Sequence, residues 1–256
     1  MASFPARPDK YDSPEVITAV AAVADWQSRG LVTYGLEASG AILVYDRTLY
    51  RHLLEREELE PVRFGGPGRF HRLGRAGGDV LMVGDFGIGA PVAAAVVEAM
   101  IAAGVEKIVS IGTAGGLQQN LRPGDIIGVT GAVRDDGTSW HYLPGDQPVA
   151  PDEHLTDQLF DHIGALLSRT GDVWTTDAIY RETVAELRAH RDAGVLAVEM
   201  EAAALMAVCE VRQVPFATAV CISDVLSETG WEALFTAPPV RDALDALFDA
   251  AVATLT

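Results

Sequence analysis

The sequence predicts an α/β fold, a single domain with a central sheet flanked by helices. Three observations carry that prediction. Short apolar runs of strand length alternate with longer segments of helical periodicity. Glycine clusters follow several of those runs, where a strand hands over to a helix. A chain of 256 residues, 49% hydrophobic and 21% charged, can also bury a substantial core without disulfide or metal staples.

In chain order, Ser13-Pro14-Glu15 supplies a cap, a proline and an acid for a first helix expected to end near Gly30. The polar residues 1–13 are expected to lie along the surface or fray. Residues 41–45 read as a strand. Residues 49–59 read as a helix, with Leu49, Leu53 and Leu54 on one side. Residues 61–78, rich in Gly and Arg, read as loop or hairpin. Residues 80–84 are a strand, 85–89 a glycine turn, and 90–103 an Ala-rich helix stopped by Gly104. Residues 107–111 form a buried strand leading into Gly112-Thr113-Ala114-Gly115-Gly116. A strand at 126–133, a polar loop at 135–151, a helix at 155–167, a strand at 173–175 and an amphipathic helix at 182–191 follow. Residues 195–198 and 216–222 are strands, and Glu199-Met200-Glu201 opens a long apolar helix between them. Residues 240–255 close the chain as a helix. The alternation implies a largely parallel sheet with helices on both faces. Residues 1–40 read as a helical extension, and 41–256 as the domain itself.

Composition excludes several functions. Thirty-six acids against nineteen Lys and Arg give a net charge of −17, which repels phosphate backbones, so no nucleic-acid partner is expected. No stretch approaches a membrane span, and the N-terminal segment has no apolar leader region, so a cytoplasmic location is expected. Cys209 and Cys221 lie in apolar segments and read as buried thiols. The six His show no metal spacing, and neither metal nor cofactor is expected. Gly84-Asp85-Phe86-Gly87-Ile88-Gly89 has the wrong spacing for a dinucleotide fingerprint. Ser139 and His141 suggest a nucleophile and its base, but no third orienting group is evident.

Two carboxylates bracketing a thioether at a strand-to-helix junction form a candidate site, because open α/β sheets bind ligands at that edge. Glu199 and Glu201 can accept from a sugar's hydroxyls, and Met200 can lie against its carbon face. A single Glu in that place also serves as a helix cap. Asp224 follows a second apolar strand and is expected at that strand's carboxyl end.

Six segments, in order, resemble the nucleoside phosphorylase superfamily, which holds purine nucleoside phosphorylases, uridine phosphorylases and methylthioadenosine nucleosidases. They are Phe86-Gly87-Ile88-Gly89-Ala90-Pro91, Ile111-Gly112-Thr113-Ala114-Gly115-Gly116-Leu117, Asp136-Gly137-Thr138-Ser139-Trp140-His141-Tyr142, Trp174-Thr175-Thr176-Asp177-Ala178-Ile179-Tyr180, Glu199-Met200-Glu201 and Ile222-Ser223-Asp224. The resemblance runs from about residue 41 to about residue 233. It implies a mixed, partly barrel-like sheet, a homo-oligomer (dimer, trimer or hexamer) and cleavage of a base from C1′ of ribose. It implies that Glu201 holds the 2′ and 3′ hydroxyls, that Met200 packs on the sugar and that Glu199 lies at its edge or toward the base. Asp224 is implied as the acid that protonates a purine, with Tyr180, Ser223 and Gly115 around the base. The 139–142 loop offers rings to wall the pocket or to touch a neighbouring subunit.

The pattern departs at the acceptor. Phosphorylases of this family hold phosphate with a Gly-Asp-Pro loop, an Arg shortly beyond it and a second Arg before the glycine turn. Here Tyr45 stands in place of the Gly, Leu49 in place of the first Arg and Ser110 in place of the second, and only Thr113 survives. A dianion without Arg or Lys must rely on backbone N–H groups. Arg47, Arg51 or Arg69 are candidate substitutes, and a face of Arg63, Arg69, Arg72 and Arg75 is a candidate to lend a cation to a neighbouring subunit. The acceptor is expected to be water, with phosphate through other ligands as the alternative. The Gln/Arg pair that reads uracil is absent after Tyr180, which favours a purine-like base. A second class stays open: a nucleoside-binding protein that kept the fold and lost its acceptor site.

Overall fold

The computed structural model describes Arg7, Asp9–Val32 and Glu37–Thr256. The reading of residues 1–13 therefore falls partly outside the described residues, at 1–6 and 8. The first helix, α1, is Ala19–Ser28, starting several residues later than Ser13-Pro14-Glu15 suggested. Its cap is Thr18, whose hydroxyl accepts from the Ala21 N–H at 3.1 Å.

The domain follows as β1 (Gly40–Val44), α2 (Arg47–Arg56), β2 (Leu59–Val62), β3 (Arg69–Leu73), β4 (Val80–Gly84), α3 (Ala90–Ala102), β5 (Ile108–Gly116) and β6 (Ile126–Asp135). Next come α4 (Glu153–Ile163), β7 (Leu167–Thr176), α5 (Val184–Asp192), β8 (Ala197–Glu199), α6 (Ala202–Arg212), β9 (Phe216–Ser227), β10 (Gly230–Ala233) and α7 (Pro238–Leu255). The ten strands form one sheet in the order β10-β9-β6-β7-β8-β5-β1-β4-β3-β2.

Two features correct the expectation of a largely parallel sheet. The hairpin β2–β3, its junction with β4, and the pairs β5–β8, β6–β9 and β9–β10 are antiparallel. In addition β9 pairs in parallel with β5, closing β5, β9, β6, β7 and β8 into a ring. The sheet is thus mixed and partly barrel-like.

Strand alternation divides the core. In β1, Ala41 and Leu43 face one hydrophobic cluster with α3 and α6, while Ile42 and Val44 face a second with α2, α4 and α7. Both faces being covered explains why β1 and β4 read as continuous apolar runs. No helix among the described residues is long and apolar enough to cross a membrane.

Other boundaries shifted for local reasons. Gly164, with φ +56°, stops α4 at Ile163; a 3-10 turn over Gly164–Leu166 follows, and Leu167, expected to be helical, begins β7. The glycine segment after residue 111 continues as strand, because each missing Cβ makes room for a neighbour. β9 runs past Ile222, and β10 went unread because its four residues are all exposed.

Candidate active site

The site gathers where β1, β4, β5, β8 and β9 end. Its centre is Gly115. A Cβ there would lie 3.1 Å from Asp224 Oδ2, 3.1 Å from Val198 Cγ1 and 2.4 Å from Leu226 Cδ1. The register of β5 against β9 slips at this point, so that Ala114 pairs with Ile222 but Gly115 pairs with Asp224. The bulge swallows Ser223 and turns the Asp224 carboxylate over the glycine. On the other side Gly115 pairs with Val198, and Glu199 follows directly.

The Asp224 carboxylate is buried, and both of its oxygens have donors. Ser223 Oγ donates to Oδ1 at 2.7 Å, and Trp231 Nε1 donates to Oδ2 at 2.7 Å. Trp231 comes from β10, which explains why sequence reading missed it. Glu182 was missed as well. Burial, then the negative charge of Asp224, push its carboxyl up to about 7.

Glu199 and Glu201 are both buried but differ in their partners. Glu199 Oε2 accepts from the N–H groups of Glu201 (2.8 Å) and Ala202 (2.7 Å), and Oε1 accepts from Thr175 Oγ1. The Thr175 oxygen in turn accepts from the Ala203 N–H at 3.0 Å. Glu199 therefore caps α6 and ties it to β7. Glu201 Oε1 accepts from the Gly89 N–H at the start of α3. Gly89 has φ +101°, a conformation that glycine adopts at little cost. Burial raises both carboxyls above the usual range, and the charge of Glu199 adds to the rise at Glu201. Met200 lies half-buried between them.

The acceptor region is differently made. Ser110 is buried and donates to Thr218 Oγ1 at 2.8 Å across β5 and β9. Thr113 is half-buried three residues further on in β5. Tyr45 leaves β1 with its backbone N–H toward the Ile111 carbonyl, and its ring lies over Gly112, where a Cβ would meet Tyr45 Cδ2 at 2.9 Å. Phe86 abuts the ring edge-on at 5.5 Å. The Tyr45 hydroxyl is enclosed beside the Ser110 side chain. Burial, then the charges of Glu201 and Glu199, hold the phenol well above its ordinary value.

Three candidates are not brought in. Arg47 points to solvent and pairs with Asp85 at 3.0 Å, while Arg69 reaches the same carboxylate at 3.4 Å. Asp85 captures both arginines on the outer side of the loop. Tyr180 sits on a short 3-10 turn, and its side chain is 94% exposed, so it stacks on nothing in the single chain.

The 139–142 loop is organised by Arg134. Its guanidinium donates to Ser139 Oγ (3.0 Å) and to the carbonyls of Leu143, Pro144 and Gln147. A Ser held as an acceptor in this way is a structural group rather than a nucleophile. No group of His, Cys, Asp and Glu suited to a metal ion occurs among the described residues.

The sequence profile of the Phosphorylase superfamily matches residues 41–253. A guanosine phosphorylase of Halorubrum lacusprofundi is 36% identical over 152 residues, 57% of this chain and 61% of that protein. A uridine phosphorylase of Haemophilus influenzae is 29% identical over 154 residues, 54% and 61% of the two chains. A uridine phosphorylase of Treponema pallidum is 33% identical over 141 residues, 50% and 55%. The chain therefore spans less than two thirds of the length of each of these relatives.

Proposed function

This chain belongs to the phosphorylase superfamily, and on that premise we propose that it breaks the N-glycosidic bond of a ribonucleoside carrying a purine or purine-like base, with water as acceptor. The observation that carries the choice of water is the company around Tyr45. Where a phosphate dianion needs cations, Arg47 and Arg69 are engaged outside with Asp85, and the nearby Ser110 is joined to a neutral Thr218.

At the other end, Glu201 is fixed through Oε1 by Gly89, which leaves its second oxygen for the ribose hydroxyls. Met200 lies alongside for the sugar's carbon face. We assign Glu199 to holding the start of α6, and with it the position of Glu201, rather than to the ribose itself. Asp224 is the proton donor to the leaving base, aimed by the bulge at Gly115. As the C1′–N bond breaks, its electron pair stays on the base, and the water oxygen bonds to C1′. The water gives up one proton and the base gains one. Ser223 holds Asp224, and Gly115 provides the flat floor beside it. A purine is favoured because Asp224 is present, while the residues after Tyr180 include no Gln/Arg pair.

Incubation with adenosine, inosine, guanosine and uridine, with and without phosphate, tests this reading. Free ribose and base should appear from the purine nucleosides without phosphate. Ribose 1-phosphate formed only when phosphate is present would overturn it.

Phosphorolysis is the second reading, favoured by the names of the relatives, guanosine phosphorylase and uridine phosphorylase. It requires a cation from elsewhere. Arg63, just beyond β2, is exposed and makes no ion pair among the described residues, which suits it to a neighbouring copy. A homo-oligomer is part of that reading.

A further inference from the structure

Trp231 makes the contact that a released purine would make. Its indole is a six-membered ring fused to a five-membered ring with one N–H, a group that donates and cannot accept. A purine that has taken a proton on its five-membered ring has the same outline and the same donor. The indole N–H reaches Asp224 Oδ2 at 2.7 Å. Strand register puts the ring on the face that carries this carboxylate. Trp231 stands opposite Leu226 in the β9–β10 pair, and Leu226 follows Asp224 by two residues, so the three side chains share one face. A Cβ on Gly115 would meet both Leu226 and Asp224, so Gly115 lies under that same face. The other carboxylate oxygen is closed to a base, because Oδ1 accepts from Ser223 Oγ at 2.7 Å and Ser223 is fully buried. A base that exchanges a proton with Asp224 must therefore come to Oδ2, where the indole is. The indole is lightly held. It is 62% exposed, Phe235 meets it edge-on at 6.0 Å, and β10 is a border strand paired with β9.

We infer that the Trp231 indole stands in the place of the leaving base, and that a purine binds by displacing it from Asp224. This rests on the reading of Asp224 as the proton donor. The exchange is bond for bond: an indole N–H leaves the carboxylate and the N–H of a purine base replaces it. A hydrogen bond at an exposed site contributes little net stability, so the ring gives way at small cost. That cost is nevertheless subtracted from the affinity for every base, because only the population with the indole withdrawn can bind. Trp231 thus sets how tightly the base end holds its ligand, and its return to Oδ2 helps the free base to leave.

The test is Trp231→Phe, which keeps a ring on the exposed border and removes the N–H. Both proteins are titrated with hypoxanthine, guanine and adenine while tryptophan emission is followed. The chain has four Trp, so the difference between the two proteins isolates Trp231. Its emission should shift to the red as base binds and the indole moves into water. The variant should bind the free base about 3- to 10-fold more tightly, and its kcat/KM on the purine nucleoside cleaved fastest should rise by a similar factor. A lasting support for Asp224 would give the opposite sign, so weaker base binding or a lower kcat/KM in the variant would overturn the inference. A merely structural ring would leave both constants as they were, which would overturn it as well, as would base binding with no change in Trp231 emission. Any of these results alongside cleavage of purine nucleosides by the unaltered protein removes only the role of Trp231. If the unaltered protein neither cleaves a purine nucleoside nor binds a purine base, the reading of Asp224 fails and this inference with it.

Discussion

The two ends of the site are built on opposite terms. At the proposed sugar-and-base end three carboxylates are held by protein donors: Glu199 by two N–H groups and Thr175, Glu201 by Gly89, Asp224 by Ser223 and Trp231. At the proposed acceptor end Arg47 and Arg69 turn outward to Asp85, Ser110 donates to Thr218, and the Tyr45 phenol is enclosed. The difference teaches where the protein spends its rigidity. On the proposed reading, charge is positioned in advance where it must meet a developing charge, and neutral side chains line the acceptor end.

The strongest way to break this comparison is Asp224→Asn. If the base end carries the proton transfer, kcat on purine nucleosides should fall by about 10² to 10⁴ while binding is retained, as read by steady-state kinetics and ligand titration. Wild-type turnover in that variant would remove the base end's claim to the chemistry.

Glu199→Ala sharpens the contrast within the triplet. It strips the acceptor from two N–H groups and a hydroxyl at the start of α6, and should cost about 1–3 kcal/mol in chemical denaturation. Glu201→Gln should instead weaken nucleoside binding with a smaller loss of stability. Equal stability losses would show that the two glutamates do not divide their roles.

Gly115→Ala and Gly112→Ala probe the two ends by the same device. At residue 115 the methyl meets Leu226, Val198 and Asp224, and should cost about 1–3 kcal/mol and displace the carboxylate. At residue 112 it meets chiefly the Tyr45 ring, so the stability loss should be smaller and the defect should fall on turnover. Equal melting temperatures with equal kinetics would erase the distinction.

The mildest expected effect is on pH dependence. Burial holds Glu199 and Glu201 above the glutamate range, so the folded state keeps protons that the unfolded chain has already lost. Stability from these groups is present at low pH and is lost as pH rises above the unfolded value and through the folded one. Glu182, pushed up to about 7, acts with the same sign. Melting temperature should therefore decline between about pH 5 and about pH 8, and Glu201→Gln should flatten the slope. An unchanged slope would mean that Glu201 titrates as it does in the unfolded chain.

Much of the fold was legible because burial on both faces writes itself as apolar runs. β1, β4 and the first part of β9 were read within a residue or two at their starts. The first residues of β7 and all of β10 were not, because they are exposed or polar and carry no alternation. Ring closure was also invisible to local pattern, since it depends on β9 reaching β5 from more than a hundred residues away. In the site, residue type pointed to Glu201 and Asp224, but partners decided roles. Only the geometry separated Glu199 as a cap, took Arg47 out to Asp85, left Tyr180 in solvent and brought in Trp231.

Among the described residues, closure of the ring leaves the sheet two unpaired borders, β2 and β10. Unpaired borders are where foreign strands add and where opening begins. The β2 border contains Pro61, which presents no N–H for a newcomer to bond. The β10 border has no such guard, and its four exposed residues include the indole that steadies Asp224. Amide exchange should therefore be slow at Gly115 and fast at Trp231, though the two flank the same carboxylate. One side of Asp224 belongs to the most permanent part of the protein and the other to its most readily opened seam.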